Sequence, residues 1–274
     1  MIDLNRQREK AEEFRRLHHG TRILVLPNTG DVASSKLVEE AGFAAVATSS
    51  AGVCWTLGYA DGERIPREEM LAMVEKIASA VELPVTADLE AGYGLQPATV
   101  AETAGLAVRA GAAGMNLEDS RRGKMLDLEL GAERVVAARE GARQAGGDLV
   151  LNARIDGFLR LGKSTDVLED TIRRAGAYLA VGADCIFVPG VDDEETIAAL
   201  AAEIDGPINI LAHGGTAPIP RLAELGVARV SIGDLLSLMS AARVRAALSE
   251  LRGPGTYGFA EGAPSYGEVN RLFG

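Results

Sequence analysis

VELPVTADLEAGYGLQPATVAETAGLAVRAGAAGMNLED, residues 81–119, contains one complete structural unit. Its β-branched run Val85–Asp88 is short and continuously apolar before the acid, the pattern of a strand covered on both faces. Polar and glycine residues follow, and then an amphipathic stretch, Ala98–Ala110, predicts a helix. Gly111 ends that helix, because glycine adopts the left-handed C-cap conformation without steric cost. The next apolar run, Gly114–Leu117, starts a second strand. A strand, a helix and a second strand in this order form a βαβ unit, which requires a parallel sheet.

The helix-ending phrase recurs outward from this unit, as Glu40-Ala41-Gly42-Phe43, Ala180-Val181-Gly182-Ala183 and Glu224-Leu225-Gly226-Val227. Further strands are predicted near Ile23–Leu26, Ala44–Thr48, Leu149–Ala153, Cys185–Val188, Ile208–Leu211 and Arg229–Ser231. Helices are predicted near Val32–Ala41, Arg67–Val81, Glu133–Gln144, Asp166–Val181, Glu194–Ile204 and Ile219–Leu225, with a last long one over about Asp234–Leu251. Eight such units point to a closed (β/α)8 TIM barrel. An open doubly wound sheet would carry a glycine-rich phosphate fingerprint after its first strand, and Leu26-Pro27-Asn28-Thr29-Gly30-Asp31-Val32 is not one. The expected organisation is a single barrel domain over 1–274. Its Gly- and Pro-rich tail, 253–274, closes with a short helical pattern around Glu268–Phe273 and packs on its own barrel or on a neighbour.

The 28 basic and 39 acidic residues give a net charge of −11. Nucleic acid is an unsuitable partner, because phosphate neutralisation needs a clustered basic surface. The N-terminal 20 residues are charged and helical rather than signal-like, and no apolar run approaches the ~18 residues needed to span a bilayer. Cys54 and Cys185 share no metal-like spacing, which suits a reducing compartment. The expectation is a soluble, cytoplasmic protein with no membrane partner.

In a barrel, chemistry collects at the C-terminal ends of the strands. Those ends carry Asp88 and Glu90, then Glu118 and Asp119, then Arg154 and Asp156, with Asp61 after the second strand. Asp88 and Glu90, two apart, are expected to face the same side of one strand. Carboxylates around one mouth repel unless a cation or proton is shared. Oxygen ligands of this kind suit Mg2+, with Mn2+ as a substitute, better than zinc. The plainer alternative is a set of ion pairs with rim arginines. Arg154 can clamp a substrate carboxylate or pair with Glu118 or Asp156. Ser49, Ser50 and Gly52 form a small-residue turn whose amides can hold an anion, and His213 can reach the mouth as an acid or base. The alternatives are a plain turn and a surface histidine. His18 and His19 read as structural, and Cys54 and Cys185 as core.

Pro84-Val-Thr-Ala-Asp88-Leu-Glu90-Ala-Gly-Tyr-Gly94, Gly111-Ala-Ala-Gly-Met-Asn-Leu-Glu118-Asp119 and Asn152-Ala-Arg154-Ile-Asp156 together resemble the isocitrate lyase / phosphoenolpyruvate mutase superfamily, from about Arg22 to Asp234. The resemblance implies a metal-binding acid at Asp88 and a second at Glu90, where the family usually has Asp. It also implies a third, water-bridged acid at Glu118. It places the substrate's carboxylate or phosphonate end at Ser49, Ser50 and Gly52, the gripping arginine at Arg154, and an acid of variable role at Asp61. It further implies a homotetramer with an exchanged C-terminal helix. Carbon–carbon lyases of the family carry Lys-x-Cys-Gly on a mobile loop. Here Lys124 survives as a catalytic candidate but Leu126 stands about where the cysteine would, and neither Met125 nor Leu126 can move a proton.

The expectation is therefore a Mg2+-dependent enzyme acting on a small 2-oxo (di)carboxylic acid through an enolate, breaking a bond at C3 in decarboxylase or lyase fashion, and not cleaving isocitrate or methylisocitrate. The alternatives are a phosphonopyruvate-type mutase or hydrolase, a pyruvate aldolase of another barrel family, and a catalytically impaired 2-oxo acid binding barrel.

Overall fold

The structure, a computed structural model, describes residues 2–274. Its barrel strands are β1 in two pieces (Leu24–Leu26 and Asn28–Thr29), β2 (Val46–Thr48), β3 (Val85–Asp88), β4 (Gly114–Glu118), β5 (Val150–Arg154), β6 (Cys185–Val188), β7 (Ile208–Leu211) and β8 (Arg229–Ser231). All eight expected strands are present, with ends shifted by a residue or two. Every neighbouring pair is parallel. The first piece of β1 pairs with β8 and the second with β2, so the sheet closes on itself. Pro27 divides the pieces because it has no N–H to give a ladder, while its carbonyl still accepts from the Ala47 amide at 3.0 Å.

The helices are α1 (Leu4–Leu17), α2 (Val32–Glu40), α3 (Ser50–Leu57), α4 (Arg67–Ala80), α5 (Pro97–Arg109), α6 (Leu128–Gln144), α7 (Gly157–Leu161), α8 (Thr165–Ala180), α9 (Glu194–Glu203), α10 (Ile219–Glu224) and α11 (Leu235–Arg252). Two differ instructively from the sequence reading. Helix α6 begins at Leu128 rather than Glu133, running through Gly131 despite its poor helix propensity. A Cβ at Gly131 would lie 2.3 Å from the Tyr178 hydroxyl, so close packing accounts for the glycine. The expected small-residue turn at 49–52 is the start of α3. Ser49 caps it by accepting from the Gly52 amide at 3.1 Å. Residues 50–54 are all buried, so no polar stripe marks this helix in the sequence.

Helix α1 stoppers the N-terminal end of the barrel. Phe14 is fully buried and packs in one cluster with Leu24, Leu26, Ala47 and Val150. Gly114 admits it, since a Cβ there would sit 2.9 Å from the Phe14 ring. His18 lies beside it, with Nδ1 2.8 Å from the Phe14 carbonyl and Nε2 3.4 Å from Arg229 Nη1. An arginine only donates, so Nε2 accepts and Nδ1 carries the proton. Burial first, and then the Arg229 charge, push the His18 pKa from 6.5 down to about 3. The imidazole is therefore neutral in the fold and protonates when the chain unfolds. Its stabilising contribution is complete above pH 6.5 and is lost as pH falls toward 3. Between pH 6.5 and 4.5 the loss is about 2 kcal/mol from this group alone. Urea unfolding at both pH values checks this: His18→Gln shows a correspondingly smaller drop than wild type.

At the other end of the chain, no residue of α11 is buried, and Leu238, Met239, Val244 and Leu248 are exposed. The tail adds exposed Tyr257, Phe259, Tyr266 and Phe273. Its expected helical pattern is a short helix over Tyr266–Asn270, opened by a Ser265/Glu268 capping box and followed by a 3-10 turn over Arg271–Phe273. No helix among the described residues is long and apolar enough to cross a membrane.

Candidate active site

The segments that follow β2, β3, β4 and β5 at the C-terminal end of the barrel line a cavity of about 600 Å3, with Ser50, Asp61, Glu90, Glu118 and Arg154 on its wall. The register of β4 and β5 sets Glu118 directly opposite Arg154. The guanidinium meets Glu118 Oε1 through Nη1 at 2.8 Å and Asp156 Oδ1 through Nε at 2.6 Å. It also stacks over the Phe187 ring, 5.6 Å from the centroid. Asp156 is fully buried and also accepts from Ser120 and Arg160. Both pairings open to Arg154 in the sequence are thus made at once, with the side chain still on the cavity wall.

Asp88 ends β3. Its Oδ2 accepts from the Ser50 amide at 3.2 Å, and its own amide donates to Thr48 Oγ1 at 2.8 Å. The expectation that Asp88 and Glu90 share a strand face is corrected. The strand stops at Asp88, and Glu90 occupies the left-handed region at φ 51°. Tyr93 (φ 62°) and, across the mouth, Glu63 (φ 54°) do the same. Non-glycine residues in that region carry strain of order 1–3 kcal/mol each, and such strain concentrates at functional sites. Here it turns the Glu90 carboxyl so that Oε2 accepts from the Glu63 amide at 2.7 Å. Oε1 is left buried with no hydrogen-bond partner among the described residues.

The remaining residues divide. Asp61 is exposed as a residue, but its carboxyl turns inward and lies within 4.8 Å of the Glu90 carboxyl and the Cys54 thiol. Ser50 lines the cavity, whereas Ser49 and Gly52 do not. The Gly52 amide is taken by Ser49 Oγ and the Ser50 amide by Asp88, which removes both from the anion-binding role expected of them. Gly52 serves instead for backbone contact, since a Cβ on Gly30 would lie 2.5 Å from its carbonyl carbon. Lys124 sits exposed on a β-hairpin (Ser120–Arg121 against Lys124–Met125) and is not on the cavity wall. His213 is an exposed residue 3.6 Å from Asp192, also outside the cavity. The Leu126 amide and carbonyl are bound to the Asp119 carbonyl and to Arg174, so this stretch is tied to the scaffold.

The sequence reading missed Glu63, whose carboxylate accepts from the Tyr93 amide at 2.8 Å and from Arg121 Nε at 2.6 Å. It thereby links three loops around the mouth. It also missed Arg121, Arg122 and Arg160 on the cavity wall, and the placing of Cys54 beside two acids. No motif spacing signals these residues, because the loops that bring them together come from different βα units.

Electrostatics follow from this crowding. Burial, then Asp61 and Asp88, push the Glu90 carboxyl up to about 8, against the opposing Glu63 amide. Burial also raises Glu118, which Asp156, Asp88 and Glu90 raise further, while Arg154 opposes them. Asp61 rises through burial and the nearby Asp88. Burial would lower Arg154, but Glu118 and Asp156 outweigh it and hold the charge firmly. Burial and the surrounding acids push the Cys54 thiol up to about 12, so it is a neutral neighbour. Several carboxyls of raised pKa, one with an unsatisfied buried oxygen, form a hard-oxygen donor set that fits Mg2+ or Mn2+. Among the described residues the acids that converge to within 4.8 Å are Asp61 and Glu90, while Asp88, Glu90 and Glu118 stand wider apart.

The model of the phosphoenolpyruvate phosphomutase family matches residues 14–252. An uncharacterized protein of Mycobacterium tuberculosis is 36% identical over 86% of this chain and 89% of its own length. A crystal structure of a Burkholderia cenocepacia protein, described as a candidate lyase/mutase, superposes with a TM-score of 0.91 at 37% identity, covering 98% of this chain and 97% of that one. Oxaloacetate acetylhydrolase in complex with its product oxalate superposes at 0.86 with 26% identity, over 97% and 94% of the two chains. With a closed parallel barrel, acids and an arginine on its C-terminal rim, and a family match over most of its length, the chain belongs to the isocitrate lyase / phosphoenolpyruvate mutase superfamily, whose members among its relatives are lyases and mutases.

Proposed function

We propose that the protein is a Mg2+-dependent enzyme that binds a small 2-oxo acid at this mouth and breaks a bond at C3, in decarboxylase or lyase fashion, through the enolate. The observation that carries the reading is that the Glu118–Arg154 pair lines the same cavity as Glu90, whose Oε1 is buried with no hydrogen-bond partner among the described residues. Asp88, Glu90 and Glu118, with Asp61 at the rim, would hold the ion, and Mn2+ would serve in its place. When bound, the ion supplies Lewis acidity to the oxo and carboxylate oxygens of the acid.

This chain's own residues do the remaining work. Arg154, fixed by Glu118, Asp156 and the Phe187 ring, presents a rigid guanidinium for a substrate carboxylate. The Ser50 amide holds Asp88 in place. The hairpin at 120–125, drawn to the mouth by Arg121 and Glu63, covers the site and keeps water from the enolate. Leu126 provides no proton, so isocitrate and methylisocitrate cleavage are not part of the proposal.

The exposed apolar residues of α11 and the tail support the packing of residues 235–274 on a neighbour, and the assembly proposed is a homotetramer, in a soluble cytoplasmic enzyme. Light scattering that returns the mass of four chains, and of fewer after deletion of 253–274, checks the assembly. The activity is tested with a panel of oxaloacetate, 2-oxoglutarate, phosphonopyruvate, 2-methylmalate and isocitrate, each with Mg2+ and with chelator. The likeness to oxaloacetate acetylhydrolase puts oxaloacetate first. Chelator-sensitive release of pyruvate or oxalate from one of them is expected. Turnover of none, or turnover indifferent to chelator, would overturn the assignment.

A further inference from the structure

The arginines of the mouth are not all accounted for by a single oxo-acid end. Arg154 is held by Glu118 and Asp156, Arg121 by Glu63, and Arg160 shares Asp156. Arg64 and Arg122 also line the cavity, and neither makes an ion pair or a side-chain hydrogen bond with any described residue. They approach from different loops, Arg64 from the one after α3 and Arg122 from the tip of the 120–125 hairpin. Free cations at one mouth of a chain of net charge −11 concentrate anions there against the field of the whole molecule.

A second, independent observation concerns the hairpin tip. Arg121 faces Lys124 across a two-residue turn made by Arg122 and Gly123. Both have positive φ, 51° and 77°. This is the turn for which Asn-Gly is the comfortable sequence. An arginine in the first position carries backbone strain that asparagine would relieve, and no described residue binds its side chain in return. The cavity, at about 600 Å3, is also far larger than a four-carbon oxo acid fills, and falls among sites for considerably bigger ligands.

We propose that Arg64 and Arg122 form a second anion subsite, which selects 2-oxo acids carrying a carboxylate or phosphonate at the end remote from the oxo group. The inference rests on the metal-anchored reading of the inner end and deepens it. Binding proceeds in two places, the oxo-acid end toward Arg154 and the acids, and the distal anion under the hairpin, so that the distal charge also holds the hairpin down.

Calorimetry in Mg2+ with 2-oxoglutarate and 2-oxopentanoate tests this, because the two share a chain length and differ in the distal carboxylate. Wild type is expected to bind the dicarboxylate about tenfold tighter or more. The Arg64→Gln/Arg122→Asn double variant is expected to bring the ratio near one, leaving affinity for 2-oxopentanoate unchanged. Arg122→Asn alone keeps the turn, so its melting temperature should equal or exceed that of wild type while the preference shrinks. The phosphonate analogue, 2-oxo-4-phosphonobutanoate, shows by its affinity relative to 2-oxoglutarate which anion the subsite favours. Equal binding of the two oxo acids by wild type, or a preference that survives the double variant, overturns the subsite alone. Failure of both acids to bind in Mg2+ overturns the metal-anchored reading and the subsite with it.

Discussion

Arg154→Ala is expected to abolish turnover and to destabilise the fold by about 3–5 kcal/mol, the cost of leaving buried partners uncompensated. The size follows from the geometry. Arg154 satisfies Glu118 at 2.8 Å and the fully buried Asp156 at 2.6 Å. Without it, two carboxyls face each other across adjacent strands in a place already poor in water. Glu118 then protonates more readily, and Asp156 keeps only Ser120 and Arg160. A stability loss of this size could hide a catalytic one, so a second variant is needed. Glu118→Gln on the Arg154→Ala background removes one of the stranded charges and should recover part of the stability, read as a higher urea midpoint. It should recover no turnover, because the substrate's carboxylate still lacks its clamp. Arg154→Lys should fold well but turn over poorly, since a point charge cannot reproduce the planar fork. Turnover that tracks stability through the whole series would reduce Arg154 to a structural strut.

Asp88→Asn is the second large effect. The substitution is nearly isosteric, and one carboxamide oxygen can still accept from the Ser50 amide, so the loop should hold. What is lost is a charge in the donor set. Metal affinity is expected to fall at least about a hundredfold, beyond what loss of an outer-shell partner causes. For wild type, Mg2+ at a hundred times its Kd adds about 2.7 kcal/mol to the folded state. In a chain of this size that raises the melting temperature by about 5–10 °C. The variant should show no such rise, and its turnover should disappear with it. A Mg2+-induced shift unchanged in Asp88→Asn would remove this residue from the metal site.

The barrel was legible because its signal is repeated. Eight apolar runs alternating with amphipathic stretches, four of these ending in the same glycine phrase, leave little freedom once the strands must be buried on both faces. Boundaries failed where tertiary packing overrides local preference. Gly131 lies inside α6 because Tyr178 needs the space, and α3 shows no helical stripe because its first five residues, 50–54, are all buried. Of the site, the residues on regular strand ends were legible. Glu118, Arg154 and Asp88 stand at the mouth where strand period and barrel geometry put them. The loop residues were not. Lys124 and His213 carried suitable chemistry in suitable places along the chain, yet both lie outside the cavity. Ser49 and Gly52 spend their polar groups on capping a helix. Glu63 and Arg122 gave no sign in the sequence. What places them is left-handed backbone at φ 54° and 51°, which residue type does not announce when the residue is not glycine.

The central claim is that this mouth binds a 2-oxo acid together with a divalent ion held by strand-end carboxyls. Oxalate, a planar dianion resembling the enolate of pyruvate, probes it directly. Calorimetric titration of oxalate into the wild-type protein, once with Mg2+ and once with chelator, is the deciding measurement. The expected result is saturable binding of one oxalate per chain in Mg2+, and none in chelator. Binding of equal strength in both conditions, or in neither, would contradict the claim.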